Sequence, residues 1–232
     1  MVSFSDFFPS GVKTLISDRS IDFTLVPGFQ GLSAVQAQYL TQNLSNPIKN
    51  IVNIRQVHGS RVLEVTEADL HLQKIIEADA VVTSRKRVPV AVRTADCLPI
   101  FIYDPQQDCI GLVHAGWKGT REGVVKNTLK MMRERFSTRN SDLLIAFGPS
   151  IRECCYQVGR EFLEYFPQSI LIKNEKFYLD LCLENRNQLR EEGVPSGNIR
   201  DCGICTVENT GCYSYRREGD QSGRMLSVML MV

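Results

Sequence analysis

Short β-branched apolar runs fill the first half of the chain, and the spacing of apolar positions changes to a helical one near residue 119. Residues 50–65 read as a strand, a turn at Gly59-Ser60 and a second strand through Val62 and Val65. The runs 78–83 and 88–93 are bounded by turn residues, which predicts two more strands. Residues 98–103 and 110–114 continue the pattern on either side of the turn signal Asp104-Pro105-Gln106-Gln107-Asp108. From 119 to 136 the period predicts a helix, with Val124, Val125, Thr128, Leu129, Met132 and Phe136 on one face. Lys130, Arg133 and Arg135 suit its C-terminal end. Beyond it, 143–147 reads as a buried strand and 159–166 and 180–192 as helices. The segments 199–206 and 225–232 read as strands. Strands outnumber helices and do not alternate with them, so the expected fold is α+β: one layered α/β domain over 1–232, with mixed β-sheets flanked by helices.

Composition narrows the function classes. With 43% apolar and 23% charged residues the chain resembles ordinary globular proteins. A formal net charge of +1 argues against a nucleic-acid or membrane-surface partner. No run approaches the roughly 18 apolar residues of a membrane span. The start, Met1-Val2-Ser3-Phe4-Ser5-Asp6, lacks the basic and apolar parts of a secretory signal, so the expected location is cytoplasmic. The eight cysteines are accordingly expected to be reduced. Cys109 and Cys182 sit in apolar contexts as small core residues, and adjacent Cys154 and Cys155 on an extended chain would point apart. Cys202-Gly203-Ile204-Cys205 has C-x-x-C spacing with Cys212 nearby, but no second pair or histidine completes a structural zinc site.

Candidate chemistry gathers at three residues. His58, Cys97 and His114 each stand at the end of an apolar, strand-like stretch just ahead of a turn, beside small residues that admit a ligand. Two imidazoles and a thiolate are a three-ligand set for zinc, one short of a closed site, which leaves a position for water or substrate. Taken singly, a histidine at a strand end is more often a hydrogen-bonded structural residue, and a buried cysteine a small hydrophobe. His71, in Asp69-Leu70-His71-Leu72, is expected at the surface. Gly116-Trp117-Lys118-Gly119-Thr120 forms a strand-to-helix junction that could receive an anion, with Lys118 adding charge, or serve only as a tight turn. Tyr213-Ser214-Tyr215-Arg216-Arg217 could stack a base and clamp a phosphate, or be a solvated basic loop.

Several motifs follow one another in a recognisable order. They are Gln56-Val57-His58-Gly59, Ala78-Asp79-Ala80, Thr94-Ala95-Asp96-Cys97-Leu98-Pro99 and His114-Ala115-Gly116-Trp117-Lys118-Gly119-Thr120. Gly148-Pro149-Ser150-Ile151, Tyr156-Gln157-Val158-Gly159, Ser214-Tyr215-Arg216-Arg217 and Gly223-Arg224-Met225 complete the series. Together they resemble the laccase-domain family, once labelled multicopper polyphenol oxidases and now regarded as zinc-dependent purine nucleoside phosphorylases. The resemblance runs from about residue 20 to the C-terminus. It implies one Zn2+ per chain on His58, Cys97 and His114, and activity on adenosine, inosine and methylthioadenosine with phosphate. It further implies deamination of adenosine, and a layered fold similar to that of a toxin deamidase with a Cys–His pair. Gln56, Lys118, Arg216 and Arg217 are the candidates for holding phosphate or substrate. The chain departs from the family after Cys205-Thr206, where relatives often carry a further cysteine and this chain reads Val207-Glu208-Asn209, and at Arg93, where an apolar residue is usual.

Two rival readings use the same residues. Multicopper oxidation needs many imidazoles and the chain has three, while a single His2Cys blue-copper site normally transfers electrons. Copper is therefore disfavoured. A metal-free amide hydrolase with Cys97 as nucleophile and His58 or His114 as base, editing peptidoglycan precursors, stays open. Partners are expected to be small nucleosides and phosphate, acting on a monomer or homodimer.

Overall fold

Burial on both faces explains why the central strands read as unbroken apolar runs. The computed structural model describes residues 1–25, 31–48, 51–52, 54–66 and 76–232. His71, expected at the surface, lies outside the described residues, as do positions 50 and 53 of the first predicted strand. The strands are β1 (Val12–Ile16), β2 (Ile54–Arg55), β3 (Val62–Glu64), β4 (Ile76–Glu77), β5 (Ala80–Thr83), β6 (Val90–Thr94) and β7 (Leu98–Asp104). They continue as β8 (Cys109–Ala115), β9 (Leu144–Phe147), β10 (Gln157–Val158), β11 (Ile170–Lys173), β12 (Lys176–Leu179), β13 (Ile199–Asp201) and β14 (Met225–Met231). The helices are α1 (Ala34–Leu44), α2 (Trp117–Arg121), α3 (Val124–Phe136), α4 (Phe162–Tyr165), α5 (Leu181–Glu191) and α6 (Tyr215–Glu218).

A six-stranded mixed sheet, β13-β9-β7-β8-β5-β3, carries the core. Alternation sorts its side chains. Leu98, Ile100, Ile102, Val113, Ile145 and Phe147 pack against Val124, Leu129 and Met132 of α3 and Leu189 of α5. Phe101, Tyr103, Ile110, Leu112 and Ala146 face the other way, onto Val12, Val90, Val92, Met225 and Met229 of a second sheet, β1-β14-β6. The outer face of that second sheet (Leu15, Ala91, Leu226, Val228) is covered by Leu40 and Leu44 of α1. The layers thus run helices, sheet, sheet, helix, which bears out the layered α+β class. No helix among the described residues is long and apolar enough to cross a membrane.

Several elements differ from their predicted form. The helix expected over 119–136 is two, because Gly123 adopts a left-handed φ of 75° between α2 and α3. The face of Val124, Val125, Thr128, Leu129 and Met132 is buried as its spacing requires. Of 159–166 only four residues are helical, and the strand expected over 199–206 ends at Asp201. The strand over 88–93 is not part of the hairpin region that β7 and β8 form; it pairs with β14 in the second sheet. The short connection from Thr94 to Leu98 therefore crosses from one sheet to the other, and Cys97 sits on that crossing.

Phe101 is fully buried between the two sheets, with its ring 5.5 Å from that of Phe4. Phe101→Ala is expected to cost about 3–5 kcal/mol in denaturant unfolding, against less than about 0.5 kcal/mol for Val35→Ala on the exposed face of α1.

Candidate metal centre and substrate cavity

His114 closes β8, Cys97 lies on the sheet crossing and His58 lies just beyond β2, in a left-handed conformation with φ 60°. Their ligand atoms all lie within 4.8 Å of one another, and the imidazole rings meet edge to face at 4.9 Å. Both imidazoles hydrogen-bond the Cys97 sulfur. Gly116 lets the backbone approach closely here: a Cβ would stand 3.0 Å from Cys97 Sγ and 3.1 Å from His58 Cδ2, tighter than ordinary contact. A Cβ on Gly119 would come within 2.6 Å of the Gly59 carbonyl, so the junction after His114 is packed directly on the His58 loop.

Asp79 organises this cluster, and residue-by-residue reading assigned it no role. Its carboxylate is fully buried and accepts from the main-chain N–H of Val57 (3.3 Å), His58 (2.9 Å) and Gly59 (2.7 Å). Its Oδ1 also lies 2.8 Å from His114 Nδ1, and its main-chain carbonyl accepts from the His114 N–H at 2.7 Å. One residue therefore fixes both histidines. When His114 is neutral, the Nδ1–H directed at Asp79 leaves its lone pair on Nε2. Burial opposes the Asp79 charge, but the His114 hydrogen bond and charge and the main-chain N–H groups of Gly59 and Val57 outweigh it and hold the carboxyl below its usual range.

Cys97 and His114 reinforce each other. Burial opposes a thiolate, yet the His114 charge and the hydrogen bonds from both imidazoles prevail and bring Cys97 down to about 6. Burial likewise opposes an imidazolium, yet Cys97 and the Asp79 hydrogen bond raise His114 to about 9. The donor set fits a metal: two imidazoles, a thiolate and a carboxylate behind one imidazole are the parts of a zinc site with an open position.

These residues form the floor of a cavity of about 570 Å³, within the range of small-molecule sites. Trp117, Tyr156 and Tyr215 bring aromatic rings to its walls, and Arg55, Arg93, Arg216 and Arg224 bring positive charge. Among the described residues of its lining the one acidic residue is Asp96, whose oxygens accept from Thr206 Oγ1 and the Arg216 N–H, both at 2.6 Å. The guanidinium of Arg216 lies 5.2 Å from the Tyr156 ring centre and donates to the carbonyls of Cys155 and Gln157. Arg93 is pulled down to about 10 by burial, and its Nε donates to the Phe23 carbonyl.

The other predicted substrate residues divide. Gln56 lines the cavity, with its amide donating to the Arg93 carbonyl and accepting from the Arg93 N–H, both at 2.7 Å. Lys118 is not among the lining residues and sits 5.6 Å from the Trp117 ring centre. Arg217 also lies outside the lining, where it donates to the carbonyls of Thr206, Val207 and Cys212 and pairs with Glu218. The expectation for Cys154 and Cys155 is overturned. A turn, not an extended strand, carries them, and their sulfurs converge with Cys205 to within 4.8 Å. Cys202 stands apart, 4.0 Å from Arg152.

Comparison with known proteins places these features. Residues 33–232 match a family described as multi-copper polyphenol oxidoreductase laccase. A purine nucleoside phosphorylase of Aquifex aeolicus is 36% identical over 177 residues, covering 76% of this chain and 81% of that protein. The purine nucleoside phosphorylase YlmD of Bacillus subtilis is 32% identical, covering 84% and 75%. Adenosine deaminase RL5, from an unknown prokaryotic organism, is 33% identical, covering 80% and 76%. Among solved structures, the hypothetical protein YfiH of Bacillus licheniformis is similar with a TM-score of 0.84 at 25% identity, covering 96% of this chain and 94% of that one.

Two measurements check the cluster's electrostatics. In metal-free protein, alkylation of Cys97 should rise as pH increases through about 6, while Cys109 and Cys182, pushed up to about 12 by burial, stay unmodified. His114→Ala should move the Cys97 profile to higher pH, because burial is then opposed by less positive charge; peptide mass mapping reads the sites. A wild-type midpoint at or above the ordinary thiol value would refute the pairing. Asp79→Asn turns an amide N–H2 towards main-chain donors, and should cost about 3–5 kcal/mol in unfolding and weaken metal binding about 10–100-fold.

Proposed function

Because the chain belongs to the multi-copper polyphenol oxidoreductase laccase family, with purine nucleoside phosphorylases and an adenosine deaminase among its relatives, we propose that it is a zinc-dependent purine nucleoside phosphorylase. Its substrates are adenosine, inosine and methylthioadenosine, and adenosine deamination is a second activity. The observation that carries this reading is a His2Cys set on the floor of a cavity whose walls combine aromatic rings with arginines. Such walls suit a purine and an oxyanion together.

His58, Cys97 and His114 are the residues that would hold the ion, and zinc bound there supplies Lewis acidity at the position they leave open. In phosphorolysis a phosphate oxygen bonds to C1′ of the ribose as the C1′–N9 bond breaks, and the purine leaves with the electron pair and takes up a proton. Arg216, held against Tyr156, is placed to orient the phosphate and to offset its charge. Trp117 and Tyr156 offer faces for the purine. In deamination, water replaces the C6 amino group and ammonia leaves. Asp96 is a positioning residue here, since its carboxylate is turned to Thr206 and the Arg216 main chain. Arg217 and Lys118 serve the loop and the helix start, so the phosphate role falls to Arg216.

A second reading rests on the lowered Cys97 pKa beside a raised His114, the polarity of a nucleophile–base pair. Cys97 would then open an amide directly, as a peptidoglycan-precursor hydrolase requires.

One incubation separates the readings. Zinc-loaded protein with adenosine and phosphate should yield adenine and ribose 1-phosphate, and with adenosine alone inosine, both identified by mass. His58→Ala and His114→Ala should lose zinc and activity together, and Arg216→Ala should lower phosphorolysis more than deamination. Undiminished turnover after complete chelation would favour the cysteine nucleophile, and no turnover at any metal loading would sink the phosphorylase.

A further inference from the structure

A second cluster of thiols lies outside the metal centre and has no part in the chemistry above. Cys154 and Cys155 come from one turn, closed by the N–H groups of Cys155 and Tyr156 donating to the Arg152 carbonyl at 2.9 and 2.8 Å. Cys205 comes from a segment bridged in parallel to Ser150, through Ser150 N–H to the Ile204 carbonyl (3.2 Å) and Thr206 N–H to the Ser150 carbonyl (3.0 Å). Main-chain hydrogen bonds thus hold Cys205 on both sides and close the turn that carries Cys154 and Cys155. Cys205 is buried, Cys155 half-buried and Cys154 exposed, and none is in a disulfide.

We propose that Cys154, Cys155 and Cys205 form a second, all-thiolate site for a thiophilic d10 ion, zinc or cuprous copper, which fastens one wall of the substrate cavity. The geometry is close to what such an ion needs. Sulfurs bound to zinc at about 2.3 Å in a tetrahedral arrangement stand roughly 3.8 Å apart. The three here lie within 4.8 Å of one another, so closing on an ion takes about 1 Å or less of movement. Thiolates select soft ions over magnesium or calcium. The graded exposure gives the ion a path in, past Cys154, and leaves a fourth position to solvent. A divalent ion leaves one net negative charge on the three thiolates and a monovalent one leaves two, so zinc is the better match.

The site also reaches the cavity. Tyr156 follows Cys155 directly, and Arg216 donates to the Cys155 carbonyl at 3.4 Å. Thr206 follows Cys205 and donates to Asp96, which neighbours Cys97. An ion bridging the two segments would hold Tyr156, Arg216 and Asp96 in one arrangement without touching substrate.

The experiment first removes the other site. His58→Ala/Cys97→Ser/His114→Ala, reduced and handled without oxygen, is titrated with Zn2+ and separately with Cu+, and the bound ions are counted by native mass spectrometry. One zinc per chain is expected, against two in the unaltered chain and none when Cys154→Ser and Cys205→Ser are added. Cobalt in place of zinc should give sulfur-to-metal charge transfer that Cys154→Ser weakens; that exposed position leaves the fold intact, as an unchanged melting temperature of the metal-free variant would confirm. Retention of Cu+ but not Zn2+ would support the site and assign it to copper. Uptake of neither ion by the folded triple variant, or a loss of two hydrogens in air as the cluster closes to a disulfide with no anaerobic metal uptake, would overturn the proposal. Because the triple variant lacks the catalytic ligands, these outcomes are independent of whether the phosphorylase reading holds.

Discussion

Everything at the site turns on how a fully buried carboxylate is satisfied. Asp79 stands just before β5, and burying its charge would be prohibitive without partners. It finds them in three consecutive main-chain N–H groups of the 57–59 loop and in His114. Those donors converge only if His58 takes a left-handed φ, which a non-glycine residue adopts at some cost. The carboxylate offsets that strain and so places the His58 ring against the His114 ring. The same bonds fix a tautomer, a ring orientation and a loop.

Cys97 arrives by a different constraint. The two sheets pack face to face, and the chain passes from β6 in one to β7 in the other within a few residues. Asp96 takes a φ of 96° to make that corner, and Thr206 and the Arg216 N–H hold its carboxylate. The thiol is thereby delivered to within 4.8 Å of the ligand nitrogens of both histidines. Charge then does the rest: a thiolate beside an imidazolium backed by a carboxylate is a stable alternation of signs in a place where any one alone would be expelled. That alternation is also what receives a cation, once the imidazoles are neutral.

Much of this was legible in the order of residues. The central strands announced themselves because burial on both faces favours apolar positions, and 98–103 and 110–113 are runs of that kind, with His114 the polar exception at the site. The buried face of α3 followed from its spacing. The first strand and α1 went unseen. The helix has Gln36, Gln38, Thr41 and Gln42 around its surface and buries only Leu40 and Leu44, although Ser33 and Gln36 form a capping box that could have marked its start. Spacing suggested His58, Cys97 and His114, but not Asp79, because its role depends on bonds to residues 20–35 positions away. Nor could periodicity foresee that Cys154 and Cys155 share a turn, since an extended pair and a turned pair read alike.

The donor inventory also bears on the copper chemistry in the family's description. Three histidines are present in the whole chain, and two of them belong to one centre. Several copper ions sharing imidazoles cannot be supplied from what is left. Among the remaining cysteines, those gathered at Cys154, Cys155 and Cys205 have no imidazole in their cluster to tune a copper couple for oxidation. The arginines around the cavity point the same way: a phosphate offers them the bidentate, doubly charged partner that guanidinium geometry matches, and a neutral phenol does not. The donors present and the chemistry of the cavity walls both agree with the proposed reading of one catalytic metal beside an anion.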